Sequence, residues 1–150
     1  MLEILFGLKT GAIFDIWSIE HLFSGVSIGS AVKKKNHQVI QKILNVDDHN
    51  HHSWWFAITG VLFLAYLWET FEHYLETGLI GSAVEYWFQG VEFWPNRLIA
   101  DPLILLFGYL VAKKWSFLVW PAMFLSLVWL FVHIFILPHS MYLQEVLFKT

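Results

Sequence analysis

The chain has 150 residues, of which 57% are hydrophobic, 19% aromatic and 14% charged, where a soluble domain carries about 25% charge. A net charge of −3 supplies no basic field for nucleic acid, and the lack of cysteine excludes disulfides, Fe–S clusters and a thiolate nucleophile. With a mean hydropathy of +0.57, the solvent that fits is lipid, and the expected fold is all-α, a single multi-pass membrane domain over residues 1–150.

In chain order, Met1 to Lys9 lack the basic start and small-residue cleavage site of a signal peptide and read as retained. Four apolar stretches then approach the roughly 20 residues that cross a bilayer as helix, over about 13–32, 54–76, 98–112 and 115–137. The linker from Lys33 to Lys42 carries four lysines, and Lys113 with Lys114 separates the third and fourth stretches. Cation-rich connections stay on the inner side, so the spacing predicts both termini and the loop from Thr77 to Arg97 outside. Between the second and third spans, Val84 to Trp94 is dense in Trp, Tyr and Phe. That composition suits an interfacial helix at headgroup level or an aromatic plug on the bundle. The tract Asp47-Asp-His-Asn-His-His52 offers metal ligands on the inner side, but without further histidine boxes it reads as a solvated linker.

The ionisable residues of the spans are unevenly placed. With the inner boundaries taken at Lys33, Ala57 and Lys113, His21, Glu69 and Asp101 each lie twelve residues deep, about 18 Å at about 1.5 Å per residue, which puts all three at one depth in the outer half. Glu20, Glu72, His73, Asp15, Glu76 and His133 fall nearby, whereas the inner halves are almost free of such groups. Glu69, Glu72, His73 and Glu76 recur at i, i+3, i+4 and i+7, which gives them one helical stripe. A buried acid costs about 2.5–3.5 kcal/mol at the centre of a span, so the concentration must be offset by pairing, water, protonation or metal. Glu69, Glu72, His73 and Asp101 are the catalytic candidates, for carboxylate and imidazole acid–base work. His21, Glu69, His73 and Asp101 are the candidate ligands of a divalent metal. Arg97, four residues before Asp101, is either its structural ion partner or a clamp for a substrate phosphate. His133 reads as a hydrogen-bonded interior histidine.

Asp15, His21 and Gly25, then Glu69-Thr-Phe-Glu72-His73, then Asn96-Arg97-Leu-Ile-Ala-Asp101 leading to Gly108 resemble the pattern of VanZ-like small polytopic membrane proteins. The resemblance covers the first three spans. It implies a bacterial inner-membrane protein linked to envelope lipids or glycopeptide resistance, with no defined chemistry to carry over. Three functions follow as expectations. The first is a polar cavity that binds or processes a lipid or lipid-linked substrate. The others are an accessory subunit of a larger membrane complex and a proton or cation pathway, which would need polar residues through the whole thickness.

Overall fold

A computed structural model describes residues 2–44 and 54–148. The His-rich tract 47–52 lies outside them. The described residues are helical, with one isolated bridge between Phe6 and Phe14. A short α1 (Leu2–Leu5) precedes the long α2 (Trp17–Leu44), then come α3 (Trp54–Glu76), α4 (Ser82–Phe88), α5 (Asp101–Lys114), α6 (Val119–Phe131) and α7 (Tyr142–Phe148). Asn96–Ala100 is a π-helical turn that runs into α5, and Ser116–Leu118 and Val132–Ile136 extend α6 at its two ends.

Two helices, Trp54–Glu76 and Ser116–Ile136, are long and apolar enough to cross a membrane, with hydropathies of 1.3 and 2.1. Only 22% and 17% of their most apolar stretches are covered by the rest of the chain, whereas the core helix of a soluble protein would be mostly covered. What they present outward is large and apolar, with Trp120 76% and Phe135 71% exposed.

The first helix departs from its expected bounds. It starts at Trp17 rather than near Ile13, and it runs through the lysine-rich segment to Leu44. Asp15 explains the start. Its Oδ1 accepts from the backbone N–H of Trp17 (2.7 Å) and Ser18 (3.0 Å), while its own N–H donates to Ser18 Oγ (3.2 Å). That reciprocal cap satisfies amides that the helix cannot, so Asp15 is a capping residue and not an acid within a span.

The long α2 is the centre of the bundle and packs on α3, α5 and α6. Against α5 the approach is close because glycines face it. A Cβ on Gly25 would overlap the Leu105 carbonyl, and one on Gly108 would overlap the Leu22 carbonyl. On α3, Ala57, Val61 and Ala65 form an i, i+4, i+8 stripe that packs on Leu105 and Tyr109. Small residues at these positions let the helix backbones approach closely.

The π-helical turn before α5 follows from Pro102, which has no N–H to give the Leu98 carbonyl four residues back and whose ring crowds it. The chain widens instead, with the Asp101 N–H reaching Asn96 O. The freed Leu98 carbonyl accepts from Tyr66 Oη at 3.0 Å. One end of the bundle gathers three segments: Phe93 N–H donates to Lys9 O (2.8 Å), Ser140 N–H to Trp87 O (2.9 Å) and Trp17 Nε1 to Ser140 O (2.8 Å). Lys113 and Lys114 end α5 at the other.

Candidate functional site

Beneath the gathered end lies a buried polar cluster built around Glu76, the last residue of α3. Its carboxylate accepts from Lys9 Nζ (2.6 Å), from the Glu92 backbone N–H (3.1 Å) and from Arg97 Nη2. Arg97 also reaches Glu92 Oε2 (3.5 Å), Glu69 Oε2 (3.8 Å) and His73 Nδ1 (3.1 Å). Lys9 is 2% and Arg97 7% exposed, so neither cation is solvated. Asn96 joins the cluster to the cap, because its Nδ2 donates to Glu92 Oε1 (3.0 Å) and Asp15 Oδ2 (3.3 Å).

One layer deeper, α2, α3 and α5 bring His21, Glu69 and Asp101 together. One potential ligand atom from each lies within 4.8 Å of the others. The ring of His21 sits between two carboxylates, with Nε2 3.1 Å from Asp101 Oδ2 and Nδ1 3.6 Å from Glu69 Oε1. Asp101 Oδ1 accepts from Ser18 Oγ at 2.9 Å. Its Oδ2 and both oxygens of Glu69 are buried and accept no hydrogen bond. In all, Asp15, Glu69, Glu72, Glu76, Glu92 and Asp101 converge on two permanent cations, Lys9 and Arg97, so the cluster needs protons or a further cation to be neutral.

Glu92, in the connection between α4 and the π-helical turn, shows the strain on this balance. Burial first, and then the charges of Glu72, Asp101, Glu69 and Asp15, push its carboxyl up from 4.5 to about 11. An acid raised in the folded state stabilises below its unfolded value and loses that contribution as pH rises toward the folded one. Stability should therefore decline with pH above about 4.5 through this group. Glu92→Gln keeps the shape without the proton, so its melting temperature should fall less between pH 6 and 9 than that of the native chain. Equal slopes in thermal melts would show Glu92 already ionised.

Beside the cluster, a cavity of about 1180 Å³ lies between α3 and α6, with α2 as its back wall and α4 at one end. Leu64, Leu67, Trp68 and Phe71 line it from α3 and are themselves 38–55% exposed, so its rim is open to the flank of the bundle. Its polar lining includes Glu20, His21, Ser24, Glu72 and Ser126. Glu20 Oε1 accepts from Ser24 Oγ (3.2 Å) and from Ser126 Oγ, and its Oε2 is unpartnered. His21 belongs both to the three-residue group and to the cavity wall.

The residues singled out in the sequence therefore separate. His21, Glu69 and Asp101 meet, and Glu72 faces the cavity beside them. His73 is not brought into the group; it is exposed and turned to Arg97. Arg97 does not line the cavity, because its guanidinium is engaged by Glu76, Glu92 and His73. That leaves a phosphate clamp no free face. His133 is caged by Trp17 and Trp129, with ring centroids at 5.2 and 5.3 Å, as an interior histidine. In the aromatic segment, Trp87 and Phe88 pack inward, while Tyr86 and Trp94 are exposed. Sequence reasoning missed Lys9, Glu92 and Asn96 as members of the cluster. The signal for Lys9 was its isolation, as the one cation of a mostly apolar N-terminal segment in a sequence with an excess of acids. No protein-family model, characterised protein or solved structure matches the chain.

Proposed function

We propose that the chain is a four-span membrane protein that admits a lipid or lipid-linked amphiphile from the side, into the cavity between α3 and α6. The observation that carries this is the cavity's polarity: apolar walls, an exposed apolar rim and a polar strip of Glu20, His21 and Glu72. Such a space accepts an acyl chain along the walls and a polar head on the strip. His21 and Glu72 are then the groups that touch the head and can exchange protons with it, while Glu69 and Asp101 act through the His21 ring. A through-going proton or cation pathway is less well supported. Among the described residues, the buried polar groups stay on the side of the gathered end and none approaches Lys113. The VanZ-like pattern and an inner-membrane location, with the gathered end outside, belong to the same proposal, since Lys113 and Lys114 mark the opposite end.

Two measurements test it. Leu130 lines the cavity, so Leu130→Trp should fill it and lower the lipid that survives detergent exchange by at least about tenfold, read by mass spectrometry, with the melt little changed. Equal retention in both chains would remove the cavity from the function. Because the chain has no cysteine, Thr77→Cys and Lys114→Cys report topology cleanly. An impermeant maleimide should label the first in intact cells and the second only after permeabilisation; the reverse pattern overturns the orientation.

A further inference from the structure

We propose that His21, Glu69 and Asp101 hold a first-row divalent cation whose remaining coordination positions open toward the cavity. The donors come from three different helices, and one atom of each already lies within 4.8 Å of the other two. Binding at about 2.0–2.2 Å from each donor asks for these atoms to draw closer together from their present spacing.

Three further observations point to a cation rather than to packing alone. First, the oxygens are orphaned. Glu69 is 1% and Asp101 0% exposed, yet both oxygens of Glu69 and Oδ2 of Asp101 lack a hydrogen-bond donor, which is costly for an ionised carboxylate. Second, His21 Nε2 stands 3.1 Å from Asp101 Oδ2 without making a hydrogen bond to it. With a neutral ring this contact is not an ion pair, and a cation would satisfy both atoms. Third, the protein's own cations are used elsewhere. Lys9 pairs with Glu76, and the Arg97 head pairs with Glu76 and Glu92, with Nε of Arg97 unpartnered although Glu69 Oε2 is 3.8 Å away. Glu69 is thus left with a single long contact to Arg97, and Asp101 pairs with neither Lys9 nor Arg97.

The donor set limits the ion. One imidazole and two carboxylates, with no thiolate, suit Zn²⁺, Mn²⁺ or Fe²⁺. Only one nitrogen of His21 can bind the ion, and Nε2, 3.1 Å from Asp101 Oδ2, is the nearer to a carboxylate. Three protein ligands leave room for water or for a polar group of a bound molecule, and the access is through His21, which lines the cavity. The inference stands on the ligand geometry and does not require that the cavity hold a lipid.

The test uses the full chain with a tag free of histidine and with His49, His51 and His52 changed to Ala, so that the tract outside the described residues contributes nothing. Titrated with Zn²⁺ or Mn²⁺, this chain should bind one ion, read by metal analysis after dialysis and by the Mn²⁺ electron paramagnetic resonance signal. Zn²⁺ should raise its unfolding midpoint and EDTA should return it. His21→Ala and Asp101→Asn should bind at least about 100-fold more weakly, while Glu85→Gln, at an exposed position, should bind as the parent does. No binding at about 1 mM ion, or equal binding with His21→Ala and Asp101→Asn, overturns the site. Should the variants fail to fold, the parent chain decides alone, since an unfolding midpoint that ignores Zn²⁺ and EDTA overturns it as well. Leu130→Trp keeps the ion if the site is right, whatever becomes of the lipid.

Discussion

Gly25→Ala is expected to destabilise the bundle by about 3 kcal/mol or more, at the upper end of what overpacking costs. The reason is the identity of the obstacle. The added methyl meets the backbone carbonyl of Leu105, which cannot rotate away as a side chain would, so α2 and α5 must separate. Gly108→Ala attacks the same seam from the other helix, against Leu22 O and Val26 N, and should cost a similar amount. Once either methyl has parted the helices the second meets less resistance, so the double variant should lose clearly less than the sum. Gly11→Ala is the control. Nothing lies within 4 Å of its added Cβ, and a change within about 0.5 kcal/mol is expected. Reversible unfolding in detergent measures all four chains. A loss below about 1 kcal/mol for Gly25→Ala would mean that the two helices are not held at this distance.

Arg97→Met should be comparably damaging, by about 3–5 kcal/mol, the range found when one partner of a buried ion pair is removed. The methionine fills much of the volume, so the cost lies in the carboxylates left behind: Glu76 is left with Lys9, and Glu69 loses the guanidinium 3.8 Å from its Oε2. Arg97→Lys should recover only part of it, because a single ammonium cannot reach Glu76, Glu92 and His73 together as the planar guanidinium does. Adding Glu76→Gln to Arg97→Met should restore some of the loss by removing one stranded charge. If Arg97→Met melts with the native chain, the carboxylates are neutral in the folded state and the guanidinium only packs.

Much of the arrangement was legible in the sequence because helices convert residue counts into depth. His21, Glu69 and Asp101 share a count of twelve from their inner boundaries, and they are the three that converge. The second span was readable to its end residues, Trp54 and Glu76. The spacing of the acidic stripe was read too broadly. At about 100° per residue, Glu69 and Glu76 point nearly the same way, but Glu72 and His73 fall on opposite shoulders of that line. The first shoulder faces the cavity and the second faces Arg97. A stripe marks a face; it does not say that every member looks into one site. Nor does hydropathy find a cap such as Asp15, or the lysines that α2 carries beyond its apolar part, because hydrogen bonding decides where a helix begins and ends. Lys9 and Glu92 were out of reach for a different reason. They come from connections whose path across the end of the bundle is set by tertiary contacts, such as Phe93 N–H to Lys9 O.

The pairing of Lys9 with Glu76 also bears on how the protein is made. The two residues are 67 positions apart, so a chain synthesised from its N-terminus delivers the ammonium long before the carboxylate that receives it. Arg97 and Glu92, which complete the same cluster, follow later still. The segment around Lys9 therefore cannot complete its contacts until α3, the connection after it and the start of α5 are in place, and its pairing is one of the last contacts of folding.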